Sequence, residues 1–196
     1  MNILEWPEEL RPSSMSWRLL SAGTKFESVF NGAVQTVRFP GSKWKVSMSF
    51  DNADDYEARA IESILFQLDG MAGRIRLPDF GRWGVPPTGT PVVFGAGQLG
   101  ASIVTAGWLP NRMVIARGQY LSVNDEMKFV TADVWSNGSG AATIPITPVW
   151  RKSPADGASV EVENPKCVFM LLNNENGPDR KPAFNNDFTI DFVEYI

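Results

Sequence analysis

Histidine is absent from this 196-residue chain, and cysteine occurs once, at Cys167. The first absence excludes imidazole general bases, histidine-containing catalytic triads and histidine-ligated metal centres. The second excludes an internal disulfide and a multi-cysteine zinc site. Cys167 lies in the apolar run Lys166-Cys167-Val168-Phe169-Met170, where it reads as a buried thiol. No apolar stretch approaches the roughly 20 residues of a membrane-spanning helix, so no membrane span is expected. The opening residues carry Glu5, Glu8 and Glu9 and no apolar signal core. They predict no secretory signal and folding in a cytoplasm. Positive charge is the minority sign, with 18 Lys+Arg against 22 Asp+Glu and a net charge of -4. A dedicated nucleic-acid binder needs a concentrated basic surface, so specific nucleic-acid binding is not expected. Arg38, Lys43 and Lys45 lie close together, but three cations on strands read as a solvated face.

What is present is β-strand chemistry. Hydrophobic residues at 43% and charged residues at 20% suit an ordinary globular protein of one domain or two small ones. From 118 to 172, short runs rich in Val, Ile, Thr and aromatics are separated by turn residues such as Asn124-Asp125, Asn137-Gly138-Ser139-Gly140 and Pro154-Ala155-Asp156-Gly157. This spacing predicts a small sandwich or barrel. Toward the amino terminus, 16–21, 34–39 and 44–50 read as strands, with a tight turn at Asn31-Gly32. The second and third of these read as an antiparallel hairpin closed at Pro40-Gly41-Ser42.

One helix is predicted next. Asp51 or Asn52 is placed to cap it, and Asp54, Asp55 and Glu57 suit the positive end of its dipole. Ala58, Ile61, Leu65 and Leu68, with Ile64 beside them, form an apolar stripe, and Gly70 supplies the stop. Burying those large side chains contributes about 1.5–3 kcal/mol each before entropy, so the helix is packing rather than a site. Residues 74–79 form a further strand, and 188–192 alternate as a last one. Two connectors rich in turn residues, 80–91 and 173–182, flank the β-rich region. They suggest an insertion, with the last residues returning to complete the first domain.

Catalytic motifs are weak. Gly95-Ala96-Gly97-Gln98-Leu99-Gly100 has the letters of a dinucleotide fingerprint, but β-branched residues and Gly107 follow where a helix must open. It reads as a glycine-rich β-loop, and no cofactor is expected. The acidic groups at Asp54-Asp55-Glu57, Asp125-Glu126 and Glu161/Glu163 are explained by capping, a turn and a wet strand face, so no enzyme activity is predicted. Trp83, Trp108, Trp135 and Trp150 are candidate exposed aromatic contacts, suited to stacking on sugar rings or anchoring an interface.

The blocks 30–36 and 73–79, a helix following a Trp-bearing strand, and the β-module blocks 118–125, 140–148 and 158–165 together resemble the minor tail proteins of tailed bacteriophages. The chain looks like a distal tail protein of siphophages. That resemblance implies a mainly β chain: a β-sandwich-like amino-terminal domain with one α-helix, over 1–80 and 173–196, and an inserted OB-fold-like or galectin-like β-barrel over 81–172. It implies a structural virion protein at the tail tip, assembled in the host cytoplasm as a ring, usually hexameric. The ring would join the tail tube protein to hub or fibre proteins. Val34, Thr36, Arg38, Lys43, Lys45, Phe188, Ile190 and Phe192 are the expected ring-interface residues, from the hairpin 34–50 and the final strand 188–196. A carbohydrate-binding adhesion module contacting a surface glycan is the alternative.

Overall fold

Gly32, at φ 68°, turns the chain at the predicted Asn31-Gly32 reversal. In this computed structural model residues 2–181 and 185–195 are described. Met1, Pro182 at the end of the second connector, Ala183, Phe184 and Ile196 at the end of the expected final strand lie outside the described residues. The first half holds β1 (Ile3–Glu5), β2 (Ser14–Leu20), β3 (Gly23–Glu27), β4 (Val34–Arg38) and β5 (Lys43–Ala53). Helix α1 (Asp55–Leu68) and β6 (Arg74–Pro78) follow. Then come β7 (Gly89–Val93), β8 (Gly100–Trp108), β9 (Met113–Ile115), β10 (Tyr120–Val123), β11 (Glu126–Val130), β12 (Val134–Trp135) and β13 (Ala142–Trp150). The chain closes with β14 (Lys166–Leu171), β15 (Asp179–Arg180) and β16 (Asn186–Glu194). The protein is mainly β, with one α-helix among the described residues, as its composition and periodicity predict.

The larger sheet runs β1-β6-β14-β16-β5-β2, with β15 paired to β16. Its β5 alternates buried and half-buried positions, sending Trp44, Val46, Met48 and Phe50 inward. Opposite them on β16, Phe192, Ile190 and Phe188 pair with Val46, Met48 and Phe50. Because side chains on a strand alternate faces, this register commits all three to the core. Helix α1 covers the same core with Ala58, Ile61, Leu65 and Leu68, the predicted stripe. Its cap differs from the expectation. Asp54, not Asp51 or Asn52, accepts the Glu57 N–H at 2.8 Å, because β5 continues through Ala53 and delays the helix start. The helix stops at Asp69 in the left-handed region, one residue before Gly70.

Two expectations about pairing are corrected. Residues 34–39 and 44–50 do not form a hairpin with each other. Instead β4 pairs with β3, while β5 pairs with β2 and β16. Pro40 lacks an N–H and interrupts the ladder, so β2–β3 and β4–β5 become the two legs of one long hairpin bent near Ala22 and Pro40. Phe39 N–H donates to Ala22 O at 3.0 Å across that bend. Second, the strand Lys166–Leu171 falls inside the sequence span 81–172, yet it pairs with β6 and β16 in the larger sheet. Its Cys167, Phe169 and Leu171 are buried in that sheet's core.

The smaller sheet runs β10-β11-β13-β8-β7. Asn124 and Asp125 both take positive φ between β10 and β11, the geometry of a two-residue hairpin turn. The segment 158–161 then bridges both edges of this curled sheet. Val160 N–H donates to Pro91 O at 3.0 Å, and Ser122 and Glu161 exchange backbone hydrogen bonds at 2.8 and 2.9 Å. Val160 and Val162 enter a second apolar cluster with Ile103, Leu121, Val130, Ile144 and Trp150. The glycine loop 95–100 joins β7 to β8 with no helix, as expected from its β-branched continuation. Gln98 holds it by donating to Phe94 O and Gly95 O and accepting from Val104 N–H.

Candidate assembly interface

The paired strands β3 and β4 leave the larger sheet as an isolated two-stranded arm. A two-stranded ribbon is marginally stable alone in water. Every position of β3 is exposed, and so is every position of β4 except the half-buried Val37. Yet large apolar side chains stand exposed among its polar ones. Val29 and Phe30 at its tip are 92% and 97% exposed, and Leu20, Phe26, Val34 and Phe39 are each about half exposed. Turns are normally made of Gly, Asn, Asp, Ser and Pro, so a Val-Phe pair at a turn tip is unusual. Clustered exposed apolar side chains of this kind mark an interaction surface.

The structure sorts the expected ring-interface residues into two groups. Val34, Thr36 and Arg38 are exposed on the arm, and Lys43 and Lys45 are half-buried where the arm joins the sheet. Phe188, Ile190 and Phe192 are buried between β5, β14 and α1, so they are core and not surface. The strongest surface positions, Phe26, Val29, Phe30 and Phe39, were missed by the sequence reading. The signal was available: apolar side chains immediately before Asn31-Gly32, where the pattern of a buried strand had already ended.

The four tryptophans divide in the same way. Trp108 and Trp150 are buried in the smaller sheet's core, so neither is an exposed contact. Trp135 is 65% exposed, on the two-stranded pairing of β12 with β9. Trp83 is about half exposed, with the Arg11 guanidinium 5.0 Å over its ring.

Between the two sheets lies a buried ionic joint. Glu194, at the end of β16, is 1% exposed and receives Arg151 Nη2 at 2.5 Å and the Trp44 backbone N–H at 3.0 Å. Arg151 follows β13, so this pair ties the smaller sheet to the larger. Lys128 on β11 is fully buried, bonded to Glu126 at 2.5 Å and to Val149 O at 3.2 Å. Burial pulls its pKa down, against the pull of Glu126. The same burial pushes the Cys167 thiol well up, aided by Glu194. A neutral, enclosed thiol is unreactive, which agrees with a structural role. A second link is made where Arg76 on β6 forms a bidentate pair with Asp125 at 2.7 and 2.8 Å and also reaches Glu5. Both links tie the smaller sheet to the larger one.

Asp79, just after β6 and interacting with Tyr120 of β10, supplies a pH test of the fold. Burial raises its pKa above the ordinary 3.8, opposed by the Gly81 N–H and by Arg82. Between the unfolded and folded pKa values the folded state binds the extra proton, so stability falls as pH rises through the folded value. The penalty is present at neutral pH and absent below 3.8. Asp79→Asn is expected to make the chain more stable than the unchanged protein at pH 7. Urea unfolding of both proteins should show the difference closing as pH falls below the ordinary carboxylate value.

Among the described residues, no group of three or more His, Cys, Asp or Glu side chains is arranged to hold a metal ion. Among the described residues no helix is long and apolar enough to cross a membrane. No protein-family model and no curated protein matches the chain.

Proposed function

We propose that this protein is a structural component of a bacteriophage tail tip, assembling with copies of itself into a ring between the tail tube and the hub or fibre proteins. The observation that carries this reading is the arm: a two-stranded ribbon with Val29 and Phe30 almost fully exposed at its tip. An isolated ribbon with exposed apolar side chains at its tip gains order and burial when a partner covers it. The resemblance of the blocks 30–36, 73–79, 118–125 and 140–148 to minor tail proteins supplies the setting, and the usual ring of that family is hexameric. The two anchored sheets support the same role. A rigid joint built from Arg151–Glu194 and Arg76–Asp125 suits a protomer that must hold a fixed shape while its neighbours press on it. The role is non-catalytic, and the chain's place is the virion.

Negative-stain electron microscopy of the purified protein tests this. Closed rings with one repeated protomer are the expected result. A protein that stays monomeric in light scattering at high concentration, with no rings on the grid, would overturn the proposal.

A further inference from the structure

Three neighbouring strands of the smaller sheet carry no charged residue, and the loop that joins two of them ends in exposed apolar side chains. We infer that this loop, between β7 and β8, seats Phe94 and Leu99 in the headgroup boundary of a lipid bilayer. The inference goes beyond the assembly reading and does not rest on it.

Between Arg82 and Arg112 no residue is charged, and none is charged between Asp133 and Arg151. In a chain that is 20% charged these are long gaps. Strands β7 and β8 fall in the first gap and β13 in the second, and the sheet order places the three side by side. The charges on the strands of this sheet are Glu126 and Lys128 of β11, which bond to each other in the buried joint. Asp125, in the turn beside them, is held by Arg76 of the larger sheet. Charge in the smaller sheet is therefore gathered where the two sheets meet. Drawing an ion out of water is what ordinarily keeps a protein surface off hydrocarbon, and β7, β8 and β13 bring no ion with them.

The loop itself is built for the same surroundings. Phe94 opens it and Leu99 closes it, 61% and 63% exposed. Backbone N–H and C=O groups left unpaired resist a medium without water. At the loop entry they are paired. Phe94 N–H donates to Val104 O at 2.9 Å, and Gly95 N–H donates to Asp156 Oδ1 at 2.7 Å. The Gln98 amide nitrogen donates to Phe94 O and to Gly95 O, each at 2.9 Å, and the Gln98 oxygen accepts the Val104 N–H at 2.6 Å. Gln98 is thus spent on its own loop, and the large exposed side chains there are Phe94 and Leu99.

These features favour lipid over a protein partner. A protein interface carries roughly one hydrogen bond per 100–200 Å² and a polar rim. The polar groups that could supply them here are already used within the loop. A bilayer boundary asks chiefly for apolar area. Two exposed charges lie in the connection 151–157, Lys152 and the Asp156 that holds Gly95. Asp156 limits the depth, since its carboxylate must stay among the headgroups. It also selects zwitterionic over anionic lipid, because an anionic surface repels it.

The test uses the full chain with one probe. Cys167 is 1% exposed, so Ala96→Cys supplies the reactive thiol, which is labelled with nitrobenzoxadiazole and titrated with phosphatidylcholine vesicles. The emission is expected to shift to the blue and rise. Half of the change should fall at about 1–5 mM lipid, because two side chains bring less apolar area than a myristoyl chain, which binds with a constant of about 10⁴ M⁻¹. Adding Phe94→Ser/Leu99→Ser to the labelled chain is expected to weaken binding about tenfold or more. Both positions are more than half exposed, and circular dichroism matching the unchanged chain verifies the fold. Unlabelled protein sedimented with vesicles should follow the same order, and Ala96→Asp, which removes no packed side chain, should weaken it too. No spectral change at about 10 mM lipid, a double variant that binds as tightly, or binding that needs phosphatidylglycerol and vanishes in high salt would overturn the inference and leave the ring reading standing. A double variant that sediments with vesicles as before but loses self-association overturns it as well, and makes the loop a contact between copies.

Discussion

Arg151→Met will destabilise the fold by about 3–5 kcal/mol, and adding Glu194→Leu will recover part of that loss instead of doubling it. The reason lies in what each single change leaves behind. Without the guanidinium, the Glu194 side chain is left at 1% exposure with the Trp44 N–H and the Cys167 thiol as hydrogen-bond donors, and Lys128 acts on it only through space. An unpaired buried carboxylate is far more costly than the intact pair is favourable. Removing both charges takes away that cost and leaves apolar side chains between the sheets. Recovery stays incomplete because Glu194 also accepts the Trp44 N–H, and Arg151 Nη1 donates to Ser42 O at 2.8 Å. Each orphaned backbone group costs about 1–3 kcal/mol. Urea unfolding of the two single variants, the double variant and the unchanged protein forms a double-mutant cycle that reads the coupling directly. A single Arg151→Met variant as stable as the unchanged protein would show the joint to be no stronger than a surface ion pair.

Trp44→Ala is the second large effect, about 3–5 kcal/mol for a buried tryptophan. Trp44 begins the alternating run of β5 and is nearly fully buried. Its ring packs edge-on against Tyr120 of the smaller sheet at 5.8 Å and tilted against Trp17 of the larger at 6.1 Å. Its Nε1–H donates to Met127 O on β11 at 3.0 Å. One side chain therefore belongs to both sheets. Trp44→Phe keeps much of the ring packing but loses the donor, and is expected to cost about 1–3 kcal/mol. Hydrogen exchange adds a readout that core volume alone would not move. In Trp44→Ala, amides of β10 and β11 should lose protection along with those of β5, whereas a purely local defect would spare the smaller sheet.

How much of this was legible from the sequence depends on the range of the interaction. The stripe Ala58, Ile61, Leu65 and Leu68 was readable because helical period and burial follow from neighbouring residues. The Asn124-Asp125 turn was readable because a two-residue reversal between apolar runs is local chemistry. The glycine loop at 95–100 was readable as a β-loop because the β-branched residues after it disfavour a helix. The helix start was misplaced for an equally physical reason: Asp51, Asn52 and Asp54 all have capping side chains, and the choice was made by β5 pairing with β16 as far as Ala53. The buried ionic joint was invisible. Lys128, Arg151 and Glu194 are separated by tens of residues and give no periodic signal.

Of the residues expected at a ring interface, Val34, Thr36 and Arg38 are exposed on the arm, whereas Phe188, Ile190 and Phe192 are buried in the core. Alternation reveals that a strand has two faces and says nothing of which one meets the core when the strand is central.

The amino-acid sequence by itself determined that this is a mainly β protein with one helix, without histidine chemistry or a disulfide. It also placed a reversal at Asn31-Gly32 and an apolar pair just before it. Those properties come from backbone sterics and residue type, which act over a few positions. Only the tertiary structure decided that β4 belongs to β3, that β14 and β16 lie side by side in the larger sheet, and that the arm projects with its apolar tip uncovered. Strand partners are chosen by the burial of whole faces across distant segments, and that free energy exists only once the chain has closed on itself.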